Sequence, residues 1–211
     1  MLARRCGSEL VELPLPLGIR ATDEWLDSLE RLAGRKGGDS SSYRDRHLGR
    51  LARRMEWLVP FVFQHLDAGF IGDPVVFAGI KELLEFVGAR IRFAVITNRK
   101  EHAKDLENLD GCPPILVWPT QLEIHRFLEG LLLAEEAEPM PGLLVTNNYG
   151  MSIAYPGMAA FEFGFPSVFR HCLYPRPFLG YQGALALLDG FANAVRAEEV
   201  NRLRYKALLE L

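Results

Sequence analysis

The densest group of residues able to do chemistry is the stretch FGFPSVFRHCLYPRPFLGYQG, Phe163 to Gly183. Arg170, His171, Cys172, Tyr174 and Arg176 follow a short apolar run within it. A histidine beside a cysteine is a pairing that ligates soft or borderline metals. Arginines at this density hold carboxylates or phosphates. Pro175, Pro177 and the turn Gly180-Tyr181-Gln182-Gly183 fix the loop, and the helix that opens after it offers backbone N–H groups to an anion. The competing reading is structural, with Arg170 and His171 satisfying buried backbone carbonyls.

A second group is Thr146-Asn147-Asn148-Tyr149-Gly150, directly after a predicted strand. Asparagines there either read a ligand by hydrogen bonds or shape a turn by bonding their own backbone. Gly72-Asp73-Pro74 is explained by helix capping alone. The other histidines carry little signal: His102 and His125 fall on predicted helices without a partner at ligand spacing, and His47 and His65 stand apart. H-E-x-x-H, Walker A, G-x-S-x-G and G-x-G-x-x-G are all absent, so glycine-cradled nucleotide binding and serine-hydrolase chemistry are unsupported. Cys6, Cys112 and Cys172 are odd in number and widely spaced, which argues against a disulfide framework. Three thiolates cannot complete a four-thiolate cluster within one chain.

These residues are positioned by a regular alternation. Pro14 and Pro16 keep the opening extended. Thr22 is the expected N-cap of a first helix that stops near Gly34, and residues 35–42 are a flexible connection. A second helix is expected from Tyr43 to Leu58. Residues 61–71 hold either a strand ending at Ile71 or more helix followed by a short strand. Asp73 caps a helix carrying Val76, Ile80, Leu83, Leu84 and Val87, with Gly88 at its end. Strands follow at Ile91–Ile96, Ile115–Trp118 and Leu143–Val145, with another expected at Ser167–Phe169. A short polar helix is expected over Lys100–Leu109, a helix capped by Thr120 contains Leu122, Phe127, Leu128 and Leu131, and the last helix starts near Gly183. The pattern predicts an α/β fold: a Rossmann-like, doubly wound, mostly parallel sheet with preceding helices and a long C-terminal helix. The expected organisation is 1–42 as extended opening, helix and connection, 43–181 as the Rossmann-like domain, and 182–211 as a closing helix. Ligands of such sheets bind beyond the carboxyl ends of the strands.

Composition narrows the classes. The 211 residues are 49% hydrophobic and 24% charged, with a net charge of -3. That balance speaks against a nucleic-acid reader. The local basic run Arg44, Arg46, Arg50, Arg53 and Arg54 reads as a solvated helix face. No apolar run reaches membrane-spanning length, and no secretory signal is recognisable. The expected location is cytoplasmic.

Four segments together resemble the nitrogenase component 1 superfamily. This group comprises the molybdenum–iron protein subunits, related cofactor-assembly proteins and the dark-operative protochlorophyllide and chlorophyllide reductases. The segments are PLPLGIRATDEWL (Pro14–Leu26), Gly72-Asp73-Pro74, TNNYG (Thr146–Gly150) and GFPSVFRHCLYPRPFLGYQGALALL (Gly164–Leu188). Their order and separation match, and GYQG is similar to the β-type form. The resemblance implies electrons received from an ATP-driven iron–sulfur partner and an association with a sister component 1 subunit or with a second copy.

His171 corresponds to a histidine that ligates the cofactor in α-type subunits and that β-type subunits carry without a cofactor at that place. The resemblance thus makes His171 a candidate ligand or proton donor, with Arg170 and Arg176 tuning its charge. Asn147, Asn148, Tyr149 and Cys172 are the candidate cofactor contacts. An iron–sulfur cluster or metal cofactor would be shared with another subunit, because no cysteine here matches the family's cluster ligands by position. The chain would then be an excised piece, a naturally short relative or part of a split subunit. The alternatives are a non-catalytic partner, scaffold or cofactor-assembly protein, and a small-ligand binder without redox chemistry.

Overall fold

The computed structural model describes residues 10–34, 39–103, 113–133, 142–155, 157–170 and 175–209. Two helices lead in, α1 (Arg20–Leu32) and α2 (Asp39–Met55). A single π turn, Val59–Phe63, then feeds β1 (Asp67–Gly72), so the ambiguous stretch holds both helix and strand. Next come α3 (Pro74–Phe86), β2 (Arg90–Ile96), a 3₁₀ turn (Lys100–His102), β3 (Ile115–Val117) and α4 (Gln121–Leu133). The chain continues through β4 (Leu143–Thr146), the one-turn α5 (Asn148–Met151), β5 (Ala159–Glu162) and α6 (Gly180–Leu209). The strands form one sheet in the order β3-β2-β1-β4-β5, and every pairing is parallel.

A parallel sheet needs both faces covered, and the alternation along each strand supplies two apolar faces. Phe70, Ala94, Ile96 and Val145 join one core with α2, α3 and α6. Ile71, Phe93, Val95 and Leu144 join the other with Ile124 and Leu128 of α4. Phe63, Phe70, Phe77, Phe93 and Phe191 are fully buried. Each stabilises the fold by roughly 1.5–3 kcal/mol before ordering costs. Gly69 is needed where Phe93 crosses β1, since a Cβ there would sit 2.3 Å from the ring.

The polar opening of β1 has a local cause. Asp67 meets Arg90 at 2.9 Å and Arg92 at 3.0 Å, and the bulge that skips Arg92 in the register lies beside it. The Asp67 hydrogen bond, and then its charge, raise the Arg90 pKa against a small burial effect.

Several expectations are met at single residues. The Asp73 carboxylate accepts the Val75 N–H at 2.9 Å, with Pro74 at the first helical position. Thr120 and Glu123 form a reciprocal capping box at the start of α4: the Thr120 N–H donates to Glu123 at 2.7 Å, and the Glu123 N–H returns to the Thr120 hydroxyl at 3.3 Å.

Other expectations need correction. Thr22 is not an N-cap. It lies inside α1, buried, and its hydroxyl donates to the Gly18 carbonyl. The orphan N–H groups of this helix start go to a distant carboxylate instead: Glu82 of α3 accepts from Ile19 at 2.8 Å and Arg20 at 3.2 Å. Ser167–Phe169 is not a strand, and the fifth strand is Ala159–Glu162. The last helix starts at Gly180 rather than Gly183. Of the polar helix expected at 100–109, a 3₁₀ turn is described, and residues 104–109 lie outside the described residues.

The opening segment lies directly on α3. A Cβ at Gly79 would stand 2.6 Å from the Leu17 carbonyl oxygen. Gly79→Ala gains helix propensity of about 1 kcal/mol but forces this contact apart, an overpacking cost of roughly 1–3 kcal/mol. The variant should unfold at a lower urea concentration than the parent. A midpoint that rises would show that the segment does not rest on α3.

Candidate functional site

In the order 3-2-1-4-5 the connections reverse direction between β1 and β4, and the crevice beyond those two strand ends is where doubly wound sheets bind ligands. Asn147 stands there with no exposed surface. Its backbone N–H donates to the Ile71 carbonyl at 2.9 Å. Its amide donates to the Thr97 hydroxyl at 3.2 Å and to the Phe165 carbonyl at 3.2 Å, and its amide oxygen accepts the Tyr149 N–H at 3.2 Å. One residue therefore joins the ends of β1, β2 and β4 to the loop after β5, the β1 bond through its backbone and the others through its side chain. Asn147 caps the short α5 and is bonded within the protein, which is the turn-forming role. Asn148 donates its N–H to the Pro166 carbonyl at 2.9 Å, and its amide oxygen is buried without a hydrogen-bond partner.

A cavity of about 370 Å³ opens over this point, lined by Asp73, Asn98, Arg99, Trp118, Tyr149 and Phe165 among others. Asn98 donates to the second oxygen of Asp73 at 2.8 Å, so that carboxylate is engaged on both sides. The Arg99 guanidinium lies 5.8 Å from the Trp118 ring centre, within cation–π range. Trp118, Tyr149 and Phe165 are exposed at the rim. Of the asparagine–tyrosine turn, Tyr149 is the side chain that presents a polar group to this cavity.

The loop after β5 is organised by a residue the sequence did not mark, Glu162, which is 4% exposed. Its carboxylate accepts N–H bonds from Val168 at 2.8 Å, from Phe169 at 2.9 Å, and from Arg170. This is why Ser167–Phe169 is not a strand: its N–H groups are turned to a side chain. Burial pushes the Glu162 pKa up, but the backbone N–H groups of Val168, Phe169 and Arg170 and the Ser167 hydroxyl outweigh it and hold the carboxyl below its usual range. The available signal was an acidic residue ending an apolar run, Ala159-Ala160-Phe161-Glu162.

Arg170 lies over the Phe161 ring, its guanidinium carbon 4.0 Å from the ring centre. Phe161 in turn meets Phe191 of α6 edge-on at 4.9 Å. Gly190 makes room, because a Cβ there would stand 2.4 Å from Phe161. Arg170 and Arg176 line a larger open cavity of about 1510 Å³ between β5, its loop and α6. His171, Cys172 and Tyr174 lie outside the described residues, as do Cys6 and Cys112. Among the described residues, no group of three or more His, Cys, Asp or Glu side chains is placed to hold a metal ion. The described residues thus do not by themselves fit a metal cluster.

The tyrosine of GYQG closes the structure. The Tyr181 hydroxyl donates to Asp23 of α1, and Arg44 of α2 reaches the same carboxylate at 3.0 Å. Burial and then the Asp23 bond push the Tyr181 phenol up. Two of the motifs singled out in the sequence, the T-D helix start and the GYQG turn, therefore meet in one contact. The other arginines of the basic run, Arg46, Arg50, Arg53 and Arg54, are exposed on α2, the solvated face expected.

The topology defines a doubly wound α/β protein with a crevice at the carboxyl edge of its sheet. The family model for nitrogenase component 1 type oxidoreductases matches residues 1–196, and the chain belongs to that family. Its relatives include nitrogenase molybdenum–iron protein β chains. The one from Clostridium pasteurianum is 24% identical over 204 residues, covering 92% of this chain and 41% of the relative. The one from Klebsiella pneumoniae is 26% identical over 200 residues, covering 87% and 36%. The vanadium–iron protein β chain of Trichormus variabilis is 26% identical and covers 88% and 40%. These β chains agree with the β-type form of the GYQG segment. The chain thus spans about two fifths of the length of the curated relatives it matches. The solved structure of nitrogenase Cp1 at pH 6.5 superposes with a TM-score of 0.71 at 23% identity, over 95% of this chain and 43% of that one, which shows the shared fold. Among the described residues, no helix is long and apolar enough to cross a membrane.

The depressed Glu162 pKa links loop order to pH. A carboxylate whose folded pKa lies below its unfolded value stabilises the fold above the unfolded value, near 4.5, and loses that contribution as pH falls through the folded pKa. Glu162→Gln should flatten the acid limb of stability against pH, measured by urea unfolding at successive pH values. An unchanged acid limb would mean that another group governs it.

Proposed function

We propose that this chain forms the C-terminal Rossmann-like part of a nitrogenase-like component 1 oxidoreductase subunit and walls its active-site cavity. Electrons would come from an ATP-driven iron–sulfur partner, with a sister component 1 subunit completing the site. One observation carries the reading beyond family membership. The signature loop is held at the carboxyl end of β5 by the buried Glu162, beside a crevice that Asn147 ties together. Preorganised loops at strand ends are where this class of sheet does its work.

The chain's own groups give the wall its character. Arg170 and Arg176 line the larger cavity together with Glu162 and Asp189, so the wall carries charges of both signs. His171, between them in sequence, would serve as ligand or proton donor, since an imidazole titrates near neutrality. Tyr149 would contact an occupant of the smaller crevice over the ends of β1 and β4, and Asn147, Asn148 and Cys172 stay candidates from the sequence alone. No step is assigned to a cluster, because the described residues do not supply its ligands.

A second reading is a non-catalytic partner, scaffold or cofactor-assembly protein of such a complex. The likeness to β chains, whose form of the GYQG segment this chain shares, favours it.

Iron and acid-labile sulfide, measured on protein purified without oxygen together with its partner subunits, separate the two. The first reading expects stoichiometric iron that falls at least tenfold in His171→Ala, with the complex still assembled. Iron that is absent, or indifferent to His171→Ala, would overturn the role given to this histidine and leave the scaffold reading.

A further inference from the structure

The strand β5 lies at an edge of the sheet and ends in Phe161 and Glu162, which pair with Val145 and Thr146 of β4. Adjacent side chains of a strand leave on opposite faces. Phe161 joins the core shared with α6, while Glu162 accepts N–H groups of the loop. Arg170 is held by both. Its backbone N–H donates to the Glu162 carboxylate, and its guanidinium carbon lies 4.0 Å from the centre of the Phe161 ring. One loop residue is thus gripped by main chain and side chain at once, through two consecutive residues of one strand.

The grip has a third contributor. Gly190 sits inside α6, where glycine is a poor helix former. A Cβ there would stand 2.4 Å from Phe161 and 3.6 Å from the Arg170 guanidinium. The glycine leaves the notch in which ring and cation lie together, and Phe191 of the same helix meets the ring edge-on. The chain is fixed again further on. The Phe178 ring meets Phe163 edge-on at 6.0 Å, and a Cβ at Gly183 would stand 2.2 Å from the Phe178 carbonyl carbon. The residues between Arg170 and Phe178 are therefore joined to the wall at both ends. His171 follows from the first of these points, one Cα–Cα step of about 3.8 Å beyond Arg170.

We propose that Phe161 and Glu162 are positioning residues: together they fix Arg170 and, through it, the place of His171 at the cavity. The proposal rests on the role given above to His171 as ligand or proton donor. The two holds are chemically independent. A carboxylate accepts several backbone N–H groups at once, and a ring face attracts a cation without using its N–H groups. A reacting group misplaced by about 1 Å loses on the order of a hundredfold in rate. A loop residue in such a role gains from being held twice.

The test is the rate at which diethyl pyrocarbonate modifies each histidine, resolved by mass spectrometry on the chain assembled with its partner subunits. His65, before β1, and His125, on α4, serve as internal references. Glu162→Gln replaces one acceptor oxygen by a donor and should change the His171 rate by roughly fivefold or more, with the references unchanged. Phe161→Leu keeps the site apolar, removes the ring face and should act alike. Arg170→Met should do the same, whereas Arg170→Lys keeps a cation for the ring and should stay within about twofold of the parent. Adding Phe161→Leu to Arg170→Met should change nothing further, because the ring acts through the guanidinium. Should Glu162→Gln fail to assemble, the Phe161 and Arg170 series decides. His171 rates that do not respond overturn the proposal. Rates that rise together with those of His65 and His125 overturn it too, since general loosening gives that result. Arg170→Lys as far from the parent as Arg170→Met overturns the share given to the ring. The rates are read with or without iron. Iron that is absent, or indifferent to His171→Ala, therefore sinks the redox role of His171 and leaves the positioning result legible.

Discussion

An amide with no access to water must find its partners inside the protein, and Asn147 finds them on two other loops and in its own turn. Leaving such a group unpaired costs about 1–3 kcal/mol, so the positions of Thr97, Phe165 and Tyr149 are coupled to it. The loops beneath the crevice are thereby tied to one another through a single short side chain. Glu162 does the same for the next loop, with three consecutive N–H groups turned onto one carboxylate. The carboxyl edge of the sheet is thus organised by two buried polar side chains, while the apolar core beneath decides only that there is a sheet.

How much of this can be read from residues alone depends on the distance between partners. Asp73 caps a helix two residues on, and Thr120 and Glu123 cap each other across one turn, so sequence shows them directly. The alternation of strands and helices is likewise a local property. Thr22 misleads because the cap of α1 is Glu82, sixty-odd residues away, and no local pattern announces it. Ser167–Phe169 misleads because a β-branched and aromatic run reads as strand until its N–H groups are seen turned to Glu162. Ala159–Glu162 was missed because two alanines and a terminal acid make a weak strand signal, although both sides of β4 are then occupied. At the site, the loops could be named in advance, but which asparagine faces inward and which tyrosine faces outward is decided by packing.

The ion pairs follow the same division. Asp67 looks out of place at the head of a buried strand until Arg90 and Arg92 are seen on the neighbouring one. Arg44, part of a basic run that reads as solvated surface, is among the described residues the one member of that run drawn to a carboxylate on another helix. Relatives near one quarter identity share the fold. Apolar core residues can exchange for others of similar volume without loss of the fold, which is how sequences this distant share it.

The contact between Tyr181 and Asp23 joins residues 158 apart in the chain, and Gly180 likewise donates to the Pro16 carbonyl. During synthesis the first helix must wait for its anchor until the last helix has left the ribosome. At about 5–20 residues per second that interval is on the order of ten to thirty seconds. Throughout it, the Leu17 and Ile19 segment rests on α3 without the bond that Gly180 later makes to Pro16. The helix α1, made before the sheet, is therefore secured after it.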